Sequence, residues 1–319
     1  MNLLDFAVTT PSRLDSFLTE NTGKSRAFIQ EQIKLQRAQV NGSLCLKSSH
    51  RLKSGDTVSF QWVDEIIPSH LTGTPGDLDI LFEDEFLLAI NKAAGVIVHP
   101  GAGQKENTLV HHLLHYLNSS QFSELSSERP GIVHRLDQGT TGVLLVAKTE
   151  RMQVLLSEMF KNRTIKKRYQ AITYGKVTLS GTITLPIGRD RKDRKKMSSR
   201  THKARTAITQ WKSLDRFEHF SHVELAPQTG RTHQLRVHLS ETGFPIVGDP
   251  TYGKGKPKGS SLALAITDWL KPLDHTLLHA RSLDFSHPIT TKHIKVVAPL
   301  PSDFTQFLSL LMEHDPCPA

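Results

Sequence analysis

The chain has 319 residues, enough for a sizeable core and for two domains. It holds no apolar run of membrane-spanning length, its start, MNLLDFAVTTPSRLD, predicts no signal peptide, and its two distant cysteines, Cys45 and Cys317, exclude a disulfide framework and a cysteine-built metal site and fit a reducing cytoplasm. With 40 Lys and Arg against 31 Asp and Glu, the net charge of +9 favours a polyanionic partner, nucleic acid before an anionic membrane.

Residues 1–63 read as a separate module. Ser12 is placed to cap a helix over SRLDSFLTE with Leu14, Phe17 and Leu18 on one face. Ser25 is placed to cap a second, SRAFIQEQIKLQ, with Phe28, Ile29 and Ile33 inward. AQVNGSLCL reads as strand, Asn41-Gly42 turn and strand. After the Lys53–Asp56 turn, TVSFQWV alternates Val58, Phe60 and Trp62 with polar residues. Arg13, Lys24, Arg26, Lys34 and Arg37 can form a basic face. Residues 64–79, rich in Pro, Gly and acidic groups, read as a linker.

From 80 to 319 short strands outnumber helices without regular alternation. DILFED, FLLAINK, GVLLVAK, QAITYGKV, AITQWKSL, HVELAP and TKHIKVVA read as strands. TLVHHLLHYL, with Leu109, Leu113, Leu114 and Leu117 at core spacing, and ERMQVLLSEMFKN read as helices, and Ser302 is placed to cap a terminal helix, DFTQFLSLLMEH. The fold class predicted is α+β: a mixed, mainly antiparallel sheet with peripheral helices and a small N-terminal α+β module. There is no internal repeat and no low-complexity tract.

The charge is concentrated. Residues 189–205, RDRKDRKKMSSRTHKAR, carry nine Lys or Arg against two Asp, with no apolar face for a membrane helix. Such a run is either a solvated loop or a phosphate-tracking element. Among seventeen histidines, His111 and His115 stand at i,i+4 on the leucine-faced helix, but no Glu completes an HExxH pattern. His134 and Asp137 at i,i+3 sit in a turn rather than a helix, so a metal site is disfavoured. No phosphate loop is present, and Gly101-Ala102-Gly103 is too short for a dinucleotide fingerprint.

One carboxylate stands out. In VHRLDQGTTGVLLVA, Asp137 sits in a turn before a buried strand, partly desolvated, where a nearby cation would keep it charged. Arg231 in QTGRTHQLRVHL, before a stretch that reads as strand or helix, can supply that cation. The residues alone leave open a second reading, with Asp137 as a structural cap of the TTG turn and Arg231 facing solvent.

HRLDQGTTG, KRYQAITYG, QTGRTHQLRVH and VGDPTYG follow EDEFLLAINKAAGVIVHPGAG in that order. This set resembles the RluA family of pseudouridine synthases over nearly the whole chain, and its RluD-type subgroup in HPGAG and in the TTG after HRLD. Ala93 departs from the family, which has Pro there. RLDSFL, the following SR, VNG and LKSGD in residues 1–63 resemble the RNA-binding domain named after ribosomal protein S-four.

The resemblance implies an isomerase that needs neither metal nor organic cofactor. It converts uridine to pseudouridine in RNA, with large-subunit ribosomal RNA, free or in an assembling subunit, as the expected substrate and transfer RNA as the alternative. It implies Asp137 as the catalytic carboxylate, Tyr169 as a ring stacking on the base, Arg231 as the partner of Asp137, Leu235 as an apolar contact of the uracil, and Arg135 as the side chain that fills the place of the flipped nucleotide. Arg13, Lys24, Arg26, Arg189, Arg191, Lys192, Arg194, Lys195 and Lys196 would then grip phosphates. A cytoplasmic monomer is expected. A non-catalytic assembly factor, the competing class, would be favoured by loss of Asp137, Tyr169 or Arg231; all three are present.

Overall fold

The structure, a computed structural model, describes residues 2–24, 26–62, 71–100, 104, 106–117, 130–193, 195–201, 203–253 and 262–317. The chain divides into two units, Met1–Ile67 and Pro68–Ala319. Ser25, Arg194 and the 101–103 glycine segment singled out above lie outside the described residues.

In the first unit β1 (Asn2–Ala7), β2 (Ser12–Arg13), α1 (Leu14–Thr22), α2 (Arg26–Lys34), β3 (Ala38–Val40), β4 (Ser43–Leu44), β5 (Arg51–Leu52) and β6 (Thr57–Trp62) follow in order. A four-stranded sheet, β1-β6-β3-β4, packs through Val58, Phe60 and Trp62 against Leu14, Leu18, Ile29 and Ile33 of the helices. Asn41 and Gly42 both take positive φ, as the tight β3–β4 hairpin requires. Ser12 does not cap α1. It pairs with Leu52 in β2–β5, and the first free helix N–H groups, of Leu14 and Asp15, donate instead to the carbonyls of His50 and Ser48.

The second unit contains β7 (Ile80–Glu83), β8 (Leu87–Lys92), α3 (Leu109–Tyr116), β9 (Thr141–Ala147), α4 (Glu150–Asn162), β10 (Lys166–Tyr174), β11 (Ser180–Ile183), β12 (Gly188–Arg189) and β13 (Met197–Ser198). After these come β14 (Thr209–Arg216), β15 (Phe220–Pro227), α5 (Gln234–Glu241), α6 (Leu264–Leu270), β16 (Leu278–Ser286), β17 (His293–Val297) and α7 (Ser302–His314). Nine strands form one sheet, β11-β14-β15-β10-β16-β9-β8-β7 with β17 also on β16. Every pairing is antiparallel except β9–β16, which is parallel. The predicted mixed, mainly antiparallel α+β class is the observed one.

β9 reads as an unbroken apolar run because both of its faces are covered. Leu144 and Val146 face α3 with Leu109, Val110 and Leu113, while Val143, Leu145 and Ala147 face α4 with Met152 and Leu156. Elsewhere in the sheet, Ile172, Tyr174 and Phe220 pack against Phe304, Phe307 and Leu311 of α7. Ala171, Val223 and Leu225 pack against Leu235 and Leu239 of α5.

Two local expectations change. Ser302 is the first residue of α7 rather than its cap; Pro301, extended at φ −59° and ψ 151°, holds the cap position without a side-chain bond. The predicted 64–79 linker is not free over its second half. Leu71 and Leu78 pack on the α3 cluster, and Thr74 N donates to His111 O at 3.1 Å.

The TTG segment has separate duties for each residue. Thr140 N donates to Asp137 O at 3.0 Å and closes a turn. Thr141 Oγ1 bonds buried His279 Nδ1 at 2.8 Å, and Gly142 sits at φ +105° with its α-carbon against Ala280, where a β-carbon would stand 2.3 Å from the Ala280 carbonyl oxygen. We predict that Gly142→Ala costs about 2 kcal/mol or more in denaturant unfolding, through strain at positive φ and separation of β9 from β16.

Candidate active site

Asp137 is fixed by its backbone before its side chain meets anything. His134 stacks on Phe160, ring centroids 4.3 Å apart, and its Nε2 accepts the Leu145 N–H of β9 at 2.8 Å. Burial and the charge of Lys167 push this imidazole down to about 3, so it is neutral with its proton on Nδ1. On the other side of Asp137, Gln138 is clamped to the loop after β8. Its carbonyl accepts from Gly95 N at 3.0 Å and from buried Lys92 Nζ at 3.1 Å, and its amide donates to Gly95 O. Burial pushes the Lys92 ammonium down to about 8 against the opposing pull of Asp137.

The cation on Asp137 comes from α5. Arg236 Nη1 donates to Asp137 Oδ2 at 3.0 Å, while its Nε and Nη2 grip both oxygens of Asp249 at 2.7 and 2.8 Å. Arg236 and Asp249 are both buried, at 7% and 6% exposure. Burial alone would raise the Asp249 carboxyl, but Arg236 and the backbone N–H groups of Tyr252 and Thr251 hold it below its ordinary value. The Tyr252 ring also lies under the guanidinium, 5.1 Å from its carbon.

Asp137 has a second neighbour. His233, left-handed at φ +56° where α5 begins, points Nε2 at Asp137 Oδ1 across 3.8 Å. Its Nδ1 lies 2.8 Å from the Tyr252 hydroxyl, whose oxygen accepts the Met197 N–H at 2.7 Å. We assign the hydroxyl proton to Nδ1, which leaves the imidazole proton on Nε2, facing Asp137. Burial keeps His233 below its usual range despite the carboxylate nearby.

Residues 133–137 line two cavities. One, of about 700 Å³, adds Gly95, His99, Gln138, His233 and His275. The other, of about 520 Å³, adds Phe160, Lys167, Tyr169, Arg231 and Leu235. This second cavity is the size of a small-ligand site. Its apolar wall is the Tyr169 ring with Leu235, Leu278 and Pro227. Burial, then the charge of Asp137, raises Tyr169, so the phenol is protonated at neutral pH.

Asp137, Arg135, Tyr169, Leu235 and Arg231 therefore meet at one cavity. Arg231, expected to pair with Asp137, does not. It precedes α5, and its Nε donates to Thr206 O at 3.1 Å, while Arg236, on the first inward turn of the helix, takes the carboxylate. Arg189, Arg191, Lys192, Lys195 and Lys196 stand at the β12–β13 hairpin, where Asp190 Oδ1 accepts from Lys192 N and Asp193 N; none of them lines either cavity. In the first unit Arg13 and Arg26, each about half exposed, both bind buried Asp15 at 2.9 Å, and Lys24 lies over the Phe28 ring. Arg236, Asp249, Tyr252 and His233 carried no role in the sequence reading; the signal available was VGDPTYG, quoted above without a task. Among the described residues, the His and acid groups close enough to share a cation are Glu218, His219 and Asp315, which line neither cavity, and Asp315 is already bonded to His219.

The two ends of the Arg236 bridge differ in burial, which gives a test. Asp249→Asn should cost about 3 kcal/mol in denaturant unfolding, because it leaves a buried guanidinium short of its partner. Asp137→Asn, at the more open end, should cost less than half as much.

Residues 86–241 match the family described as RNA pseudouridylate synthase. Ribosomal large subunit pseudouridine synthase D of Escherichia coli (strain K12) is 37% identical, over 94% of this chain and 90% of its own. An uncharacterized RNA pseudouridine synthase of Bacillus subtilis, YlyB, is 37% identical over 98% of this chain and the whole of its own. Among solved structures, Human RNA Pseudouridylate Synthase Domain Containing 4 superposes with a TM-score of 0.58 at 30% identity, covering 73% of this chain and 93% of that one. Human RNA Pseudouridylate Synthase Domain Containing 1 gives 0.54 at 26% identity, covering 77% and 100%. Set against a carboxylate held between an arginine and a histidine at the mouth of a nucleotide-sized cavity, these likenesses show that the chain belongs to the RluA family of RNA pseudouridine synthases, enzymes that isomerise uridine within RNA.

Proposed function

We propose that Asp137 is the catalytic carboxylate and that the substrate is large-subunit ribosomal RNA. The observation carrying the reading is that, among the described residues, Asp137 alone brings a carboxylate to the cavity that also holds Tyr169, Leu235 and Arg135. The large-subunit substrate is supported by the likeness to the Escherichia coli enzyme of that name.

The reaction breaks the N-glycosidic bond, turns the uracil, and joins ring carbon to sugar carbon with loss of the ring proton. The free base stays in the pocket throughout, so the walls matter as much as the reacting group. Leu235 and the Tyr169 ring offer apolar faces to a planar base. Because Tyr169 is protonated, its part in this reading is stacking and hydrogen bonding. Asp137 acts from a fixed position, since Arg236 and Asp249 leave its carboxylate little freedom. Exposed Arg135, two residues away, fills the gap that the flipped nucleotide leaves, offsetting part of an unstacking cost of about a few kcal/mol.

In this reading the remaining cations hold the RNA and do not read its bases. Residues 1–63 form the RNA-gripping module and 80–319 the catalytic domain. Arg13 and Arg26 spend Nε and Nη2 on Asp15 and keep half their surface for a phosphate.

Asp137→Asn should lower tritium release from uracil-labelled large-subunit RNA by about 10³-fold or more, with RNA affinity within about twofold of wild type. Retained turnover sinks the assignment of Asp137, and mapped pseudouridines confined to transfer RNA sink the substrate. Changing Arg191, Lys192, Arg194, Lys195 and Lys196 together to Ser should weaken binding and flatten the plot of log K against log salt by about one unit or more. An unchanged slope removes the hairpin from the RNA contact.

A further inference from the structure

β10 carries four neighbouring residues, Lys166 to Tyr169, that alternate between its faces. Lys167 and Tyr169 share one face and both line the second cavity. The next cation, Arg168, points the other way, and its Nε faces Glu224 Oε1 of β15 at 3.9 Å. Lys167 has no such answer: among the described residues no carboxylate and no hydrogen-bond acceptor partners its ammonium. Its charged neighbour is Arg163, of the same sign, at the left-handed end of α4. Arg163, Lys167 and Arg231 all line the cavity that Asp137 opens into. Gly230 faces Lys167 directly; a β-carbon there would stand 3.8 Å from Nζ, so the missing side chain keeps the approach to the ammonium clear.

A half-buried ammonium beside a second cation is unfavourable unless an anion joins it. Burial and Arg163 already push Lys167 below its ordinary value. Asp137 is not that anion, since its carboxylate faces Arg236 and His233. The uracil is not either while it remains in the chain, because its oxygens are neutral acceptors. RNA brings a negative phosphodiester on each side of a flipped nucleotide, and the cations lining this cavity, Lys167 with Arg163 and Arg231 among them, match the charge of one of them.

We infer that Lys167, flanked by Arg163 and Arg231, is the seat of a backbone phosphodiester adjoining the target uridine. The inference rests on the reading of the Asp137 cavity as the nucleotide pocket. Lys167 is a positioning residue here. It fixes how far the nucleotide swings in, and so sets the distance between the sugar and Asp137.

The test uses full-length enzyme and a short RNA stem-loop that wild type isomerises, with the phosphates flanking the target uridine replaced one at a time by neutral methylphosphonate. One replacement should weaken wild-type binding about tenfold. Lys167→Met should bind the all-phosphate RNA about tenfold more weakly, show a salt slope smaller by about 0.7 to 0.9, and be indifferent within about twofold to that same methylphosphonate. Lys167→Arg should restore the sensitivity, which a merely structural role would not produce. Lys167→Gln is the second neutral variant should Lys167→Met fail to fold, judged by its thermal midpoint. Equal losses in wild type and neutral variant at every flanking position overturn the phosphate seat. Asp137→Asn separates the two claims: if it still turns over, the catalytic reading fails, whereas its methylphosphonate profile should match wild type because the seat does not involve Asp137.

Discussion

The arrangement at this site depends on one guanidinium shared by two carboxylates. Arg236 is buried, and a buried cation that loses its partner is strongly destabilising. Asp249 is that partner, with a two-point grip, and is itself secured by two backbone N–H groups. What remains of Arg236, a single Nη1, is directed at Asp137. The fold thus presents Asp137 with a cation whose position was set elsewhere, and in the proposed reading this is the condition for an electrostatic arrangement that needs no reorganisation as the reaction proceeds.

The scaffold has to bring together segments far apart in the chain. Asp137 stands just before β9, Arg236 at the start of α5, and Asp249 in the loop beyond it. The parallel contact of β9 with β16 is the seam, and Gly142 makes it possible by letting the Ala280 carbonyl approach where any side chain would collide. α5 packs through Leu235 and Leu239 against β10 and β15, so the same helix delivers an apolar wall and a cation to one cavity.

Much of this was legible in the sequence, and the reasons differ by residue. The run Val143–Ala147 announced a strand buried on both faces, and the turn at Asp137 placed a carboxylate before it. The partner of Asp137 was misassigned because QTGRTHQLRVH carries two arginines and reads as strand or helix. Only the start of α5 at Gln234 decides which arginine turns inward. Asp249 and Tyr252 were visible as letters, yet their role depends on a shared arginine that no local pattern encodes. The capping positions failed for a related reason. At α1 the capping acceptors are carbonyls of His50 and Ser48, distant in sequence, so Ser12 was free to pair in β2.

Tyr252 joins two parts of the molecule that otherwise have separate business. Its hydroxyl receives the backbone of the cationic β12–β13 hairpin at Met197 and gives its proton to the histidine beside Asp137. The outer surface and the surroundings of Asp137 are consequently linked through one side chain. A displacement of the hairpin is therefore felt at His233, one hydrogen bond from Tyr252 and 3.8 Å from Asp137 Oδ1.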